Sequence, residues 1–157
     1  SDPIRDWGID KYIDLAKHLD KVCKCNILFV GAKNEIDRER SRISSQIPRC
    51  ALHDDSVGKT AAIINESSLL IGGESLFAHV SATLKIPTIV IQGPHLKPYL
   101  GVHFDNDVQI NQKHFFMFSK ELPCRDLLNT GCGSCSDQIC FDFSVDEILQ
   151  QALKMLN

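Results

Sequence analysis

The chain lacks most of the features that assign a protein at sight to a membrane, a nucleic acid or a dinucleotide. No apolar run in its 157 residues is long enough to cross a bilayer as a helix, which takes about 20 residues. No block of Lys or Arg is present. With 17 basic and 20 acidic side chains the net charge is −3, so nothing draws it to nucleic acid or to an anionic surface. The N-terminus is acidic and polar, unlike a secretory signal, and the expected location is cytoplasmic. Internal repeats and low-complexity segments are missing. So is the fingerprint G-x-G-x-x-G, which argues against NAD. What remains is 43% hydrophobic and 24% charged, the balance of a soluble globular protein. The length suits one domain, residues 1–157, with a real core.

Helical and strand-like patterns alternate. Ile9, Tyr12, Ile13, Ala16 and Leu19 recur at helical spacing and predict an amphipathic helix over about Asp10 to Lys21. Ile27 to Val30 reads as a buried strand ending at Gly31. Ile36, Arg40, Ile43 and Ile47 mark a second helix, stopped by Pro48. Arg49 to Leu52 is a weak strand. Ser56 is a candidate cap for a helix to about Asn65, with Val57, Ala61 and Ile64 inward. Leu69 to Ile71 is the third strand, Ser75 to Leu84 a helix, and Thr88 to Ile91 the fourth strand. Val108 to Ile110 and Phe115 to Phe118 are candidate later strands. Ser144 and Glu147 form a capping box ahead of a final helix with Val145, Ile148, Leu149, Ala152, Leu153 and Leu156 on its apolar face. This order predicts an α/β fold: a Rossmann-like, mostly parallel sheet with helices on both faces.

Such sheets bind ligands beyond the carboxyl ends of their strands. Polar residues fall there after four strands in turn: Glu35; His53, Asp54 and Asp55; Gly72 to His79; and Gln92 to His95. The third group is the most informative. An apolar run reaches Gly72-Gly73, then Glu74-Ser75, and a helix begins. Glycines allow a tight turn, and a new helix offers unpaired N–H groups to an anion. His79 lies about one turn past Ser75 and can reach the same anion. The expected ligand is phosphorylated. Each position also has a plainer reading: Glu35 as a carboxylate offsetting a helix dipole, His79 as a core histidine, Ser56 and Ser75 as caps, and His53 and His95 as loop residues.

In order and spacing these residues resemble the C-terminal half of the glycosyltransferase family 9 heptosyltransferases. Arg5-Asp6-Trp7 and Tyr12 match the opening of that pattern. Gly31 and Glu35, Ser56-Val57 with Ala61 to Ile64, Glu74 to His79, Pro87-Thr88, and Gly93-Pro94 follow in register. The resemblance covers about Ile4 to Leu156. It implies the donor half of a GT-B enzyme that transfers a sugar from ADP-heptose, or another nucleotide sugar, to lipopolysaccharide core or another glycan acceptor. The acceptor-binding N-terminal domain and its catalytic base would lie outside this chain. The protein would then sit in the cytoplasm or on the inner face of the membrane. The resemblance also implies that Glu35 contacts the donor ribose and Arg5 a phosphate. The remaining donor-site positions are Ser56, Glu74, Ser75, Leu76 and His79, and no cofactor is required. Two positions depart from the pattern. Glu74 stands where the family has Asp, and Leu76 where it has Gly, so a bulky side chain sits where the backbone approaches the diphosphate. The alternative reading is a non-catalytic Rossmann-like binding or interaction domain with a degenerate pocket.

There are 7 cysteines. Cys23, Cys25 and Cys50 read as small core or surface residues. Cys124, Cys132, Cys135 and Cys140 cluster as C-x7-C-x2-C-x4-C. Four thiolates at that spacing can hold a structural zinc. Reduced thiols or disulfides fit the same cluster.

Overall fold

A computed structural model of the chain describes residues 6–92, 115–118 and 139–156, with the backbone alone for 115–118. Arg5, Gly93, Pro94, His95, the expected strand at 108–110, and Cys124, Cys132 and Cys135 lie outside the described residues.

Helix α1 spans Ile9–Cys23. It starts after Gly8, whose φ of 101° suits glycine and whose N–H is held by Asp6 Oδ1 at 3.0 Å. It ends at Lys24 in the left-handed conformation. Two stripes of α1 are buried. Ile13 and Ala16 join Ile43 and Ile47 in one core cluster, with Ile27, Phe29 and Leu52 packed against it. Leu15 and Leu19 enter a second cluster with Ile89, Ile91, Ile148, Leu149 and Ala152. The sequence pattern captured the first stripe and half of the second.

Strand β1 (Leu28–Val30) pairs in parallel with β2 (Ala51–His53), Leu28 opposite Ala51 and Val30 opposite His53. They are joined by α2 (Lys33–Gln46). Strand β2 starts later than the expected Arg49. Pro48 and Arg49 form a turn closed by Cys50 N–H to Ile47 O at 3.1 Å, and that turn uses up the first residues of the expected strand. Helix α3 (Val57–Asn65) leads to β3 (Leu70–Gly73), α4 (Leu76–Thr83) and β4 (Thr88–Ile91). Strand β5 (Phe115–Phe118) completes a parallel β3-β4-β5 ladder. Ile27, Leu69 and Ile71 all pack against the second cluster, which brings the two ladders onto one core.

Helices cover both faces. Ile89 and Ile91 point to the side of α1 and the last helix. Thr88, on the opposite parity of β4, points to α4, where its hydroxyl lies 2.8 Å from Ser81 Oγ. Ser81 in turn donates to Ala78 O at 2.9 Å. This buried hydroxyl chain fixes α4 against β4, and with it the height at which α4 begins. Within α3, Val57 is 50% exposed, contrary to expectation, while Thr60 and Ile64 are buried. Thr60 can be buried because its hydroxyl donates to Ser56 O at 3.1 Å.

The final helix, α5 (Val145–Leu156), opens on the expected capping box. Ser144 Oγ accepts from Glu147 N–H at 3.2 Å, and Glu147 Oε2 accepts from Ser144 N–H at 2.7 Å. A short 3-10 turn, Ile139–Phe141, precedes it. The two chain ends described are clasped together here. The Trp7 indole N–H donates to Phe143 O at 3.0 Å, and Lys11 Nζ donates to Phe141 O and Phe143 O at 3.2 and 3.3 Å. Tyr12 stands edge-on to the Trp7 ring with centroids 5.0 Å apart.

Candidate functional site

The carboxyl end of β1 runs into Gly31. A Cβ there would lie 3.4 Å from Ile36 Cδ1 and 3.5 Å from Glu35 Oε2, both ordinary contact distances, so the turn packs closely on α2 without requiring glycine. Gly31 N–H donates to His53 O at 3.2 Å, which ties this turn to the end of β2. Glu35 is half-buried, and its Oε2 accepts from Ala32 N–H at 3.3 Å. Ala32 has no side-chain oxygen, so only the carboxylate half of a capping box exists at the start of α2. Glu35 is thus placed at the mouth of β1 by backbone geometry, with its carboxylate held back against the first turn of α2.

At the end of β2 the polar residues are differently employed. Asp54 accepts from Arg40 at 3.2 Å and Asp55 from Lys59 at 2.7 Å. Hydrogen bonds from Lys59, then from the Ser56 N–H, hold the Asp55 carboxyl below its ordinary range. These two carboxylates serve the surface of α2 and α3. His53 is half-buried, and its Nε2 is buried without a hydrogen-bond partner. Ser56 occupies the N-cap position of α3, but its side chain makes no cap hydrogen bond.

The β3 end carries the densest arrangement. Ser75 is the N-cap residue of α4 and again makes no side-chain cap bond. The first-turn N–H groups of Leu76 and Phe77 therefore receive nothing from it, and helix geometry provides them no carbonyl. Ala78 N–H bonds Ser75 O at 3.1 Å and closes the turn. Leu76 is 54% exposed, a large apolar side chain at the lip of this helix start. His79 is half-buried one turn further along α4. Glu74, just before the cap, is half-buried, and its Oε1 accepts from Gln92 Nε2 at 3.0 Å. That contact joins the end of β3 to the end of β4.

Gln92 stands among the polar residues expected at the strand ends, but the sequence assigns it no role of its own. The available signal was a polar residue directly after an all-buried strand. Of the cysteine cluster, the described member Cys140 is buried in the core beside Phe141 and Phe143, not in an open loop. Among the described residues no group of three or more His, Cys, Asp or Glu side chains stands together as a metal site. No helix among them is long and apolar enough to cross a membrane.

No protein-family model matches the chain, and no curated protein matches it in sequence. In structure it is similar to the crystal structure of the glycosyl transferase family 9 from Veillonella parvula DSM 2008. The TM-score is 0.70 at 17% sequence identity, over 98% of this chain and 42% of that one. The chain spans about two fifths of the length of that protein. At this identity the likeness establishes the fold: a Rossmann-like parallel α/β arrangement of the GT-B type, as expected from the sequence.

Proposed function

We propose that this chain is the donor-binding part of a heptosyltransferase-like glycosyltransferase of lipopolysaccharide or related glycan synthesis, and that it holds a nucleoside diphosphate sugar at the carboxyl ends of β1, β3 and β4. The observation that carries the reading is the start of α4. Its first-turn N–H groups open at the end of a parallel strand, with Ser75 leaving them uncapped. A helix start of this kind attracts a diphosphate through its N–H groups and the partial positive charge of the helix dipole. Glu35, at the mouth of β1, is assigned to the ribose hydroxyls, which a carboxylate accepts in pairs. His79, on α4, adds a side-chain contact to the phosphates, and Arg5 a second by resemblance of motif.

Glycosyl transfer breaks the bond between the sugar and the diphosphate and leaves negative charge on the phosphate oxygens. A preorganised set of N–H donors stabilises that charge as it develops. The acceptor hydroxyl also needs a base, which is assigned to a separate acceptor domain. On this reading the chain binds the donor and does not turn over alone. Calorimetric titration of the 157-residue chain with ADP, ADP-sugars, UDP-sugars and adenosine tests it. The diphosphates are expected to bind and adenosine to bind more weakly. No binding of any nucleotide at millimolar concentration would refute it.

The exposure of Leu76 favours a second reading, a binding domain whose pocket is obstructed at its lip. Leu76→Gly distinguishes the two. An obstructed pocket gains diphosphate affinity from the substitution, and a pocket already in working order does not.

A further inference from the structure

Gln92 follows the buried strand β4, and none of its own surface is exposed. Its Nε2 donates to Glu74 Oε1 at 3.0 Å. An ionised carboxylate only accepts, so the amide must turn its NH2 towards Glu74. The atom left over is the amide oxygen, which is buried without a hydrogen-bond partner. An unmet buried acceptor costs stability that an apolar side chain of similar length would not cost. Packing does not account for an amide here. Its contact with Glu74 does.

Glu74 stands immediately before Ser75, the N-cap of α4. Carboxylates are drawn to helix starts by the same N–H groups and partial charge that attract a phosphate. Ser75 makes no side-chain cap, so the place that Glu74 would take is not already filled. A four-bond side chain next to the cap can fold back onto the first turn unless something holds it elsewhere. The bond from Gln92 ties Oε1 to the end of β4 instead.

We propose that Gln92 is a positioning residue: it holds the Glu74 carboxylate at the end of β4 and so keeps the first turn of α4 open to a phosphate-bearing ligand. The inference rests on the diphosphate reading above and explains how that site tolerates an acidic neighbour.

A double-mutant cycle with Gln92→Met and Glu74→Gln tests it, each variant titrated with ADP and with adenosine. Losing the Gln92 bond lets one unit charge shift towards a half-exposed anion site, which is expected to cost about tenfold in affinity. Q92M should therefore weaken ADP about tenfold and leave adenosine within about twofold. The double variant should bind ADP as well as E74Q alone does, because with the competing charge gone the loss of Gln92 has nothing left to release. Should Q92M fail to fold, Gln92→Asn, one methylene too short to reach Glu74, carries the same test. An equal loss from Q92M with and without E74Q overturns the inference, as does a parallel loss of ADP and adenosine; both identify Gln92 as a packing residue. If wild type binds ADP and Q92M binds it equally well, the positioning role alone falls. If wild type binds no nucleotide, the diphosphate reading falls and this inference with it.

Discussion

Replacing Trp7 by Phe tests how much the clasp between the two ends of the described chain contributes to the fold. The Trp7 side chain is 3% exposed, and its N–H reaches Phe143 O at 3.0 Å. The substitution keeps an aromatic ring against Tyr12 and deletes the N–H and the second ring. A typical intramolecular hydrogen bond contributes about 0.5–1.5 kcal/mol net. Lys11 still donates to the Phe143 carbonyl, so the loss should fall in the lower part of that range. The missing ring leaves a void whose cost is on the order of 1 kcal/mol, since the surroundings relax only in part. Lys11 Nζ also sits 5.6 Å from the Trp7 ring centroid, and a cation gains less from a phenyl face than from an indole. The total is about 1.5–2 kcal/mol. A domain of this size loses about 2–4 °C in Tm per kcal/mol, so W7F should melt about 3–8 °C below wild type. Circular dichroism melts measure this, and urea unfolding should show a lower midpoint with an unchanged slope. A W7F melting point within about 1 °C of wild type would refute the reasoning, because the indole bond would then contribute nothing.

Three further predictions follow from the site. Glu35→Gln should weaken ADP by roughly tenfold or more, the usual scale for losing a charged hydrogen-bond partner, while pyrophosphate binding stays nearly unchanged; equal losses would reject the ribose assignment. His79→Ala should weaken ADP more than adenosine in calorimetric titration, and equal losses would make His79 a packing residue. Asp55→Asn should destabilise the protein at neutral pH. The Asp55 carboxyl is depressed in the folded state, first by Lys59 and then by the Ser56 N–H, so its contribution is present above the ordinary carboxylate range and is lost as pH falls through the depressed value. The difference in Tm between D55N and wild type should therefore shrink on acidification, and a difference independent of pH would contradict the ion pair.

What could be read in the sequence was set by local physics. The Ser144 and Glu147 capping box lies within one turn and needs no tertiary partner, and it appears as expected. Thr88–Ile91 is apolar enough throughout to be recognised as a strand buried on both faces. The expected start of β2 at Arg49 fails because Pro48 and Arg49 are consumed by a turn between α2 and β2, closed by Cys50 N–H to Ile47 O. Val57 is apolar and so expected inward, yet it stands at the first position of α3 and is half exposed. Thr60 replaced it, since a hydroxyl that bonds its own helix backbone can be buried. At the candidate site, the helix start at Ser75 was legible from glycines and polarity alone. The partners were not. The ion pairs that occupy Asp54 and Asp55, and the Gln92 bond that holds Glu74, join residues 4 to 18 positions apart, and the longest crosses between strands.

The central claim is that the first turn of α4 receives a diphosphate, and amide NMR reads that turn directly. In a titration of nitrogen-15-labelled protein with ADP, the backbone N–H resonances of Leu76 and Phe77 should be among those that move most. They should saturate with the same affinity as the calorimetric titration, and adenosine should leave them nearly in place. ADP binding that leaves Leu76 and Phe77 unmoved, while shifting resonances elsewhere, would contradict the account.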